Sequence, residues 1–263
     1  MKFGFVPAAL LAATVFGAVA PGAQARVISQ NVEYRSNGQL FEGFIAYDTR
    51  FTGRRPGVLV AHQWKGITDY EKERARMLAQ MGYIAFCVDV YGKGVRPTNP
   101  RDAGAQAGKY RENRRLLKSR AQAGYAILRD FRLTDRSKIA AIGYCFGGAT
   151  VLELARSGAD VKGVVSFHGT LSTPNPQEAR RIKGSVLVLH GAVDPLSPFT
   201  EVQKLRDEMT LAKVDHEIVL YGNAVHSFTE RAAGNDASDG VAYDEKADRR
   251  SWNRLREFLR EIF

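Results

Sequence analysis

Gly143-Tyr144-Cys145-Phe146-Gly147-Gly148 joins an apolar run, Lys138-Ile139-Ala140-Ala141-Ile142, to Ala149-Thr150-Val151-Leu152-Glu153-Leu154-Ala155. The first run reads as a short buried strand and the second as a helix. Small residues two before and two after Cys145 permit a sharp strand-to-helix turn, where a larger Cβ would strike neighbouring backbone. Such a turn pushes its central side chain out at the top of a sheet, over the positive end of the new helix. This is the pattern of a nucleophile elbow, with Cys where Ser is usual. A thiol ionises far more readily than a hydroxyl and needs less help to attack.

Working outward, strands and helices alternate. Runs at 27–35 and 39–48 flank Ser36-Asn37-Gly38, a hairpin signal. Further strands are expected at 57–61, 83–88, 139–142, 161–167, 185–189 and 216–220. Between them fall helices at 69–81, with Asp69 as cap, 102–131, 146–157 and 199–212, and a closing helix follows at 244–263. Strands of four to six apolar residues alternating with helices imply an α/β fold. Its mostly parallel central sheet would be covered by helices on both faces, with the N-terminal hairpin antiparallel. No repeat, low-complexity tract or linker divides the chain, so 26–263 reads as one domain.

Residues 1–25 stand apart. Lys2 is a lone positive charge, residues 5–20 carry none, and Ala23-Gln24-Ala25 suits cleavage after Ala25. This reads as a secretory signal peptide; Pro21 and Gly22 interrupt the segment and weigh against an uncleaved anchor. The expected location is outside the cytoplasm, periplasmic in a Gram-negative source, with no membrane association after cleavage. The chain of 263 residues has a formal charge of +10, which falls to +9 when Lys2 is removed. The surplus concentrates in 109–120 and 249–260, spaced as solvated faces of amphipathic helices, and no nucleic-acid motif accompanies it. Two cysteines in an exported chain invite a disulfide. Cys87, however, lies inside the buried-strand pattern Tyr83-Ile84-Ala85-Phe86-Cys87-Val88, so both thiols are expected free, with Cys87 a small core residue.

In such a sheet, reacting groups gather at the carboxyl ends of the strands. Cys145, Asp194 in His190-Gly191-Ala192-Val193-Asp194-Pro195, and His226 in Val225-His226-Ser227-Phe228 each follow a strand. Nucleophile, acid, histidine is the chain order used by one large class of hydrolases. His62, His168 and His190 also fall at strand ends, but their spacing is not that of a zinc site and no metal is expected. Gly92 and Gly94 belong to no phosphate-binding fingerprint. The polar segment 232–241 reads as a solvated loop that could form a lid edge beside His226.

These motifs, with Val165-Ser166-Phe167-His168-Gly169, Asp89-Val90-Tyr91-Gly92-Lys93-Gly94 and His226-Ser227-Phe228, resemble the dienelactone hydrolase (carboxymethylenebutenolidase) family of α/β-hydrolases. The resemblance runs from about Asn31 to the C-terminus. It implies an α/β-hydrolase fold and hydrolysis of a carboxylic ester or lactone through a thioacyl-enzyme, without a cofactor. Cys145 would attack, His226 would carry the proton and Asp194 would orient His226. The backbone N–H groups of Phe146 and Trp64 would hold the oxyanion. Better-known members of the family place a glutamate where Gln63 stands, so a carboxylate-gated thiol is not expected. Cys145 should instead rest at least partly as a thiolate paired with His226. Family members acting on dienelactone hold its carboxylate with arginines, for which Arg96 and Arg101 are positional candidates. Gln63, Tyr91 and His168 complete the expected substrate contacts. The expected partner is a small ester or lactone, and the chain is expected to act as a monomer. The alternative is an exported binding or redox-sensing protein that keeps the fold without turnover. Carbon–carbon or carbon–halogen hydrolysis normally wants another nucleophile.

Overall fold

Asn37 and Gly38 both take positive φ, 48° and 77°, as a two-residue hairpin loop requires. Strands β1 (Val27–Ser36) and β2 (Gln39–Asp48) therefore pair antiparallel, from Ser36↔Gln39 to Val27↔Asp48. In the computed structural model, which describes residues 26–263, this hairpin ends an eight-stranded sheet. The leader expected at 1–25 lies outside the described residues. Among the described residues no helix is long and apolar enough to cross a membrane.

The remaining strands are β3 (Arg55–Ala61), β4 (Ile84–Val88), β5 (Thr134–Tyr144), β6 (Gly163–Phe167), β7 (Ser185–Gly191) and β8 (His216–Tyr221). They run parallel in the order β4-β3-β5-β6-β7-β8, and β2 joins β4 antiparallel. Helices α1 (Asp69–Gln80) and α6 (Glu245–Ile262) cover one face, where Leu78, Leu255 and Leu259 cluster with Val58, Val60 and Ile142. Helices α3 (Arg114–Asp130), α4 (Phe146–Arg156) and α5 (Phe199–Leu211) cover the other, where Leu117, Leu152 and Leu205 cluster with Leu59, Phe86 and Val188. A strand buried on both faces carries no polar alternation, which is why these strands read as short apolar runs.

Two local expectations are corrected. Thr68, not Asp69, caps α1: its Oγ1 accepts from the Tyr70 N–H at 3.3 Å, while Glu71 accepts the Thr68 N–H at 2.8 Å. The helix expected over 102–131 is two, α2 (Pro100–Glu112) and α3. Asn113, at φ −113° and ψ 77°, closes α2, and its Oδ1 accepts from the Leu116 N–H at 2.9 Å to cap α3. A short amide side chain offers the backbone an alternative to the helical ladder, and here it breaks one helix into two. Cys87 is fully buried in β4, and both thiols are free.

Candidate active site

The elbow is built as its small residues imply. A Cβ on Gly143 would lie 2.0 Å from Gly147 O, and one on Gly147 would lie 2.2 Å from Ala61 O. Cys145 between them sits at φ 54° and ψ −115°, a conformation that costs a non-glycine residue on the order of 1–3 kcal/mol. The surroundings over-determine it. The Cys145 N–H donates to Phe167 O at 3.0 Å, and its carbonyl accepts from Gly148 N–H at 3.0 Å and Thr170 N–H at 3.3 Å. The thiol is thereby held at the first turn of α4, over the helix's positive end.

Asp194 and His226 converge from the loops after β7 and β8. Asp194 Oδ2 lies 2.8 Å from His226 Nδ1, and both residues are buried. Asp194 Oδ1 accepts from the amides of Leu196 at 2.8 Å and Ser197 at 3.1 Å. The acid therefore caps its own turn and orients the histidine together. Burial opposes charge on His226, but its electrostatic interaction with the Cys145 sulfur and the hydrogen bond to Asp194 outweigh it and push the imidazole up to about 10. Segment 232–241 does more than solvate: the His226 N–H donates to Gly240 O, and the Ala242 N–H to His226 O, each at 3.1 Å.

Cys145 and His226 open onto one cavity of about 380 Å³, also lined by Trp64, Gly104, Arg111, Thr170, Leu196, Ser227 and Val241. Of the substrate contacts expected from sequence, none is among the residues that line it. Arg96 pairs with buried Asp89 at 3.3 Å and donates to Gly92 O and Glu42 O, so it braces a loop. Arg101 is exposed on α2. Tyr91 is buried and donates its hydroxyl to Trp64 O at 2.9 Å. Gln63 is buried beside a separate small pocket, with its N–H donated to Glu71 Oε1 at 3.0 Å. His168 lies behind His226: the rings meet edge-on at 5.3 Å, and His168 Nε2 bonds Thr229 Oγ1 at 2.7 Å.

Among the described residues the cation lining the cavity is instead Arg111, whose Nε is buried without a partner among them. Helical periodicity placed it on a solvated face. The break at Asn113 ends that helix one turn past Lys109, and the Asn-for-helix conflict is the signal that could have exposed the error. The apolar lip of Leu196 and Val241 carried no motif at all.

The two amides expected to hold an oxyanion are Phe146 N–H, at the start of α4, and Trp64 N–H, in the loop after β3. Among the described residues neither donates to another backbone carbonyl. The remaining strand-end histidines are committed: His62 bonds Gln63 O and the Val90 N–H, and His190 bonds Ser197 O. Among the described residues no group of three or more His, Cys, Asp or Glu is arranged to hold a metal ion.

Residues 41–263 match the model of the dienelactone hydrolase family. A putative carboxymethylenebutenolidase of Aquifex aeolicus is 28% identical over 238 residues, 89% of this chain and 98% of that protein. Among solved structures, the dienelactone hydrolase-like promiscuous phosphotriesterase P91 from metagenomic libraries is 38% identical, with TM-score 0.85 over 90% of this chain and 99% of that one. A putative dienelactone hydrolase of Klebsiella pneumoniae, 22% identical with TM-score 0.76 over 89% and 98% of the two chains, shares the fold.

Proposed function

Because the chain belongs to the dienelactone hydrolase family of α/β-hydrolases, we propose that it cleaves a carboxylic ester or lactone through Cys145, His226 and Asp194. The observation that carries this reading is the 2.8 Å contact of Asp194 with His226, beside Cys145 on one cavity. Cys145 attacks the carbonyl carbon as a thiolate, and the oxygen gains the charge, stabilised by the Phe146 and Trp64 amides. Collapse expels the alkoxide, which takes its proton from charged His226 and leaves a thioester on Cys145. Neutral His226 then draws a proton from water as the water attacks the thioester, and collapse of that adduct expels the Cys145 thiolate, releasing the carboxylic acid and restoring the thiolate beside charged His226. Loss of one oxyanion donor typically costs about 10²–10³ in rate.

A thiolate leaves a tetrahedral adduct more readily than an alkoxide does, so activated substrates such as enol lactones and aryl esters suit this centre. Arg111 adds a preference for a substrate carrying a negative group, because its buried Nε lacks a partner among the described residues. The test is p-nitrophenyl acetate hydrolysis by Cys145→Ala together with mass spectrometry of the acid-quenched wild type. We expect activity lost in the variant and an added acetyl mass on Cys145. Hydrolysis by the variant at the wild-type rate would overturn the assignment.

A further inference from the structure

The peptide that carries the Trp64 N–H is gripped by buried side chains that do not line the cavity. His62 Nε2 accepts from the Val90 N–H at 3.2 Å, so Nδ1 carries the proton and donates to Gln63 O at 2.6 Å. That carbonyl belongs to the same peptide unit as the Trp64 N–H. One unit further on, the Tyr91 hydroxyl donates to Trp64 O at 2.9 Å. One unit earlier, the Glu71 carboxylate accepts the Gln63 N–H at 3.0 Å.

Tyr91 is itself immobilised. Its N–H donates to Asp89 Oδ1 at 3.1 Å, and its carbonyl accepts from Gln39 Nε2 at 3.0 Å. Its ring lies 4.7 Å from the His62 ring and 5.5 Å from that of Phe146, centroid to centroid. One side chain therefore touches both residues whose amides face the developing oxyanion.

We propose that Tyr91, acting with His62, is the positioning residue that sets the oxyanion hole, fixing the Trp64 amide on its loop against the Phe146 amide at the start of α4. The proposal rests on the thioester reading above. The two donors come from separate elements, and an oxyanion hole works only when both are held to about half an ångström. The Phe146 amide is fixed by its helix, whereas Trp64 lies in an irregular loop and needs a clamp. A hydrogen bond received by Gln63 O also polarises its peptide and strengthens the N–H at the other end. Neither side chain is asked to touch substrate.

Tyr91→Phe removes one hydroxyl and keeps the ring packing. On p-nitrophenyl butyrate kcat should fall about three- to tenfold, the scale of one net hydrogen bond, with KM within about twofold. A trifluoromethyl ketone, which adds the Cys145 thiolate to its carbonyl carbon and leaves an oxyanion, should lose affinity by the same factor. Alkylation of Cys145 by iodoacetamide needs the thiolate and no oxyanion, so it should keep the wild-type rate. His62→Asn should show the same split. Alkylation falling in step with turnover would reduce Tyr91 to a packing residue and overturn the proposal. Unchanged turnover and ketone binding in Tyr91→Phe would also overturn it. Cys145→Ala separates the two levels: an inactive Cys145→Ala beside an unaffected Tyr91→Phe removes only the positioning role. An active Cys145→Ala removes the thioester reading itself.

Discussion

His226 and His62 occupy similar stations, each in the loop after a strand's carboxyl end, yet the fold drives them to opposite charge states. Both are buried, and burial disfavours the charged ring in each case. At His226 the electrostatic interaction with the Cys145 sulfur and the hydrogen bond to Asp194 reverse that penalty and push it up to about 10. At His62 burial prevails over its hydrogen bond to Gln63 O and pushes it down to about 4. The charged ring opens on the cavity; the neutral one has both nitrogens committed to backbone. A strand-end position thus makes a histidine available, and the charge of its partners decides its use.

Removing the partner is the strongest way to break this contrast. Asp194→Asn should lower kcat/KM by about 10²–10⁴, the usual worth of well-placed acid–base catalysis. It should also move the alkaline limb of the pH profile to lower pH. In the wild type that limb should lie near pH 10, where His226 loses its proton. The sign follows from a folded value above the ordinary 6.5: the stabilisation is complete below 6.5 and is lost as pH rises toward 10. Steady-state rates and melting temperatures across pH 6–11 check both statements.

Arg111→Met comes next. It should raise KM for a carboxylate-bearing aryl ester about 10- to 100-fold, the worth of a hydrogen bond to a charged group, and leave a neutral ester unaffected. At His62 the linkage runs the other way. Its folded value is depressed, so stability should fall as pH drops from 6.5 toward 4, by about 1.4 kcal/mol per pH unit at most. Thermal melts should show a shallower acid slope in His62→Asn. Arg101→Ala should change neither KM nor kcat by more than about twofold, as expected for an exposed surface residue.

The features legible in the chain were those governed by local sterics and by order along it. Gly143 and Gly147 announce the elbow because any Cβ there meets backbone within six residues or at the adjoining strand end. Asp194 and His226 follow their strands in an order that the fold reuses. Tyr91 and Arg96 are each held by a partner far away in sequence. Tyr91 meets Trp64 across 27 residues, and Arg96 meets Glu42 across 54. No periodicity records such a bond, so both looked like loop residues facing a substrate. Arg111 failed for a different reason: helical spacing puts it on a polar face, and the interruption at Asn113 turns on one capping bond to Leu116.

Fold class, and the strand-end placement of Cys145, Asp194 and His226, could therefore be read from the chain alone, because short apolar strands, turn glycines and strand-end positions are local or sequential properties. The charge on each histidine could not, nor could the identity of the cation in the cavity. Those depend on which buried groups come within hydrogen-bonding distance in a medium of low dielectric, and that distance exists only once the sheet has brought its strand ends together.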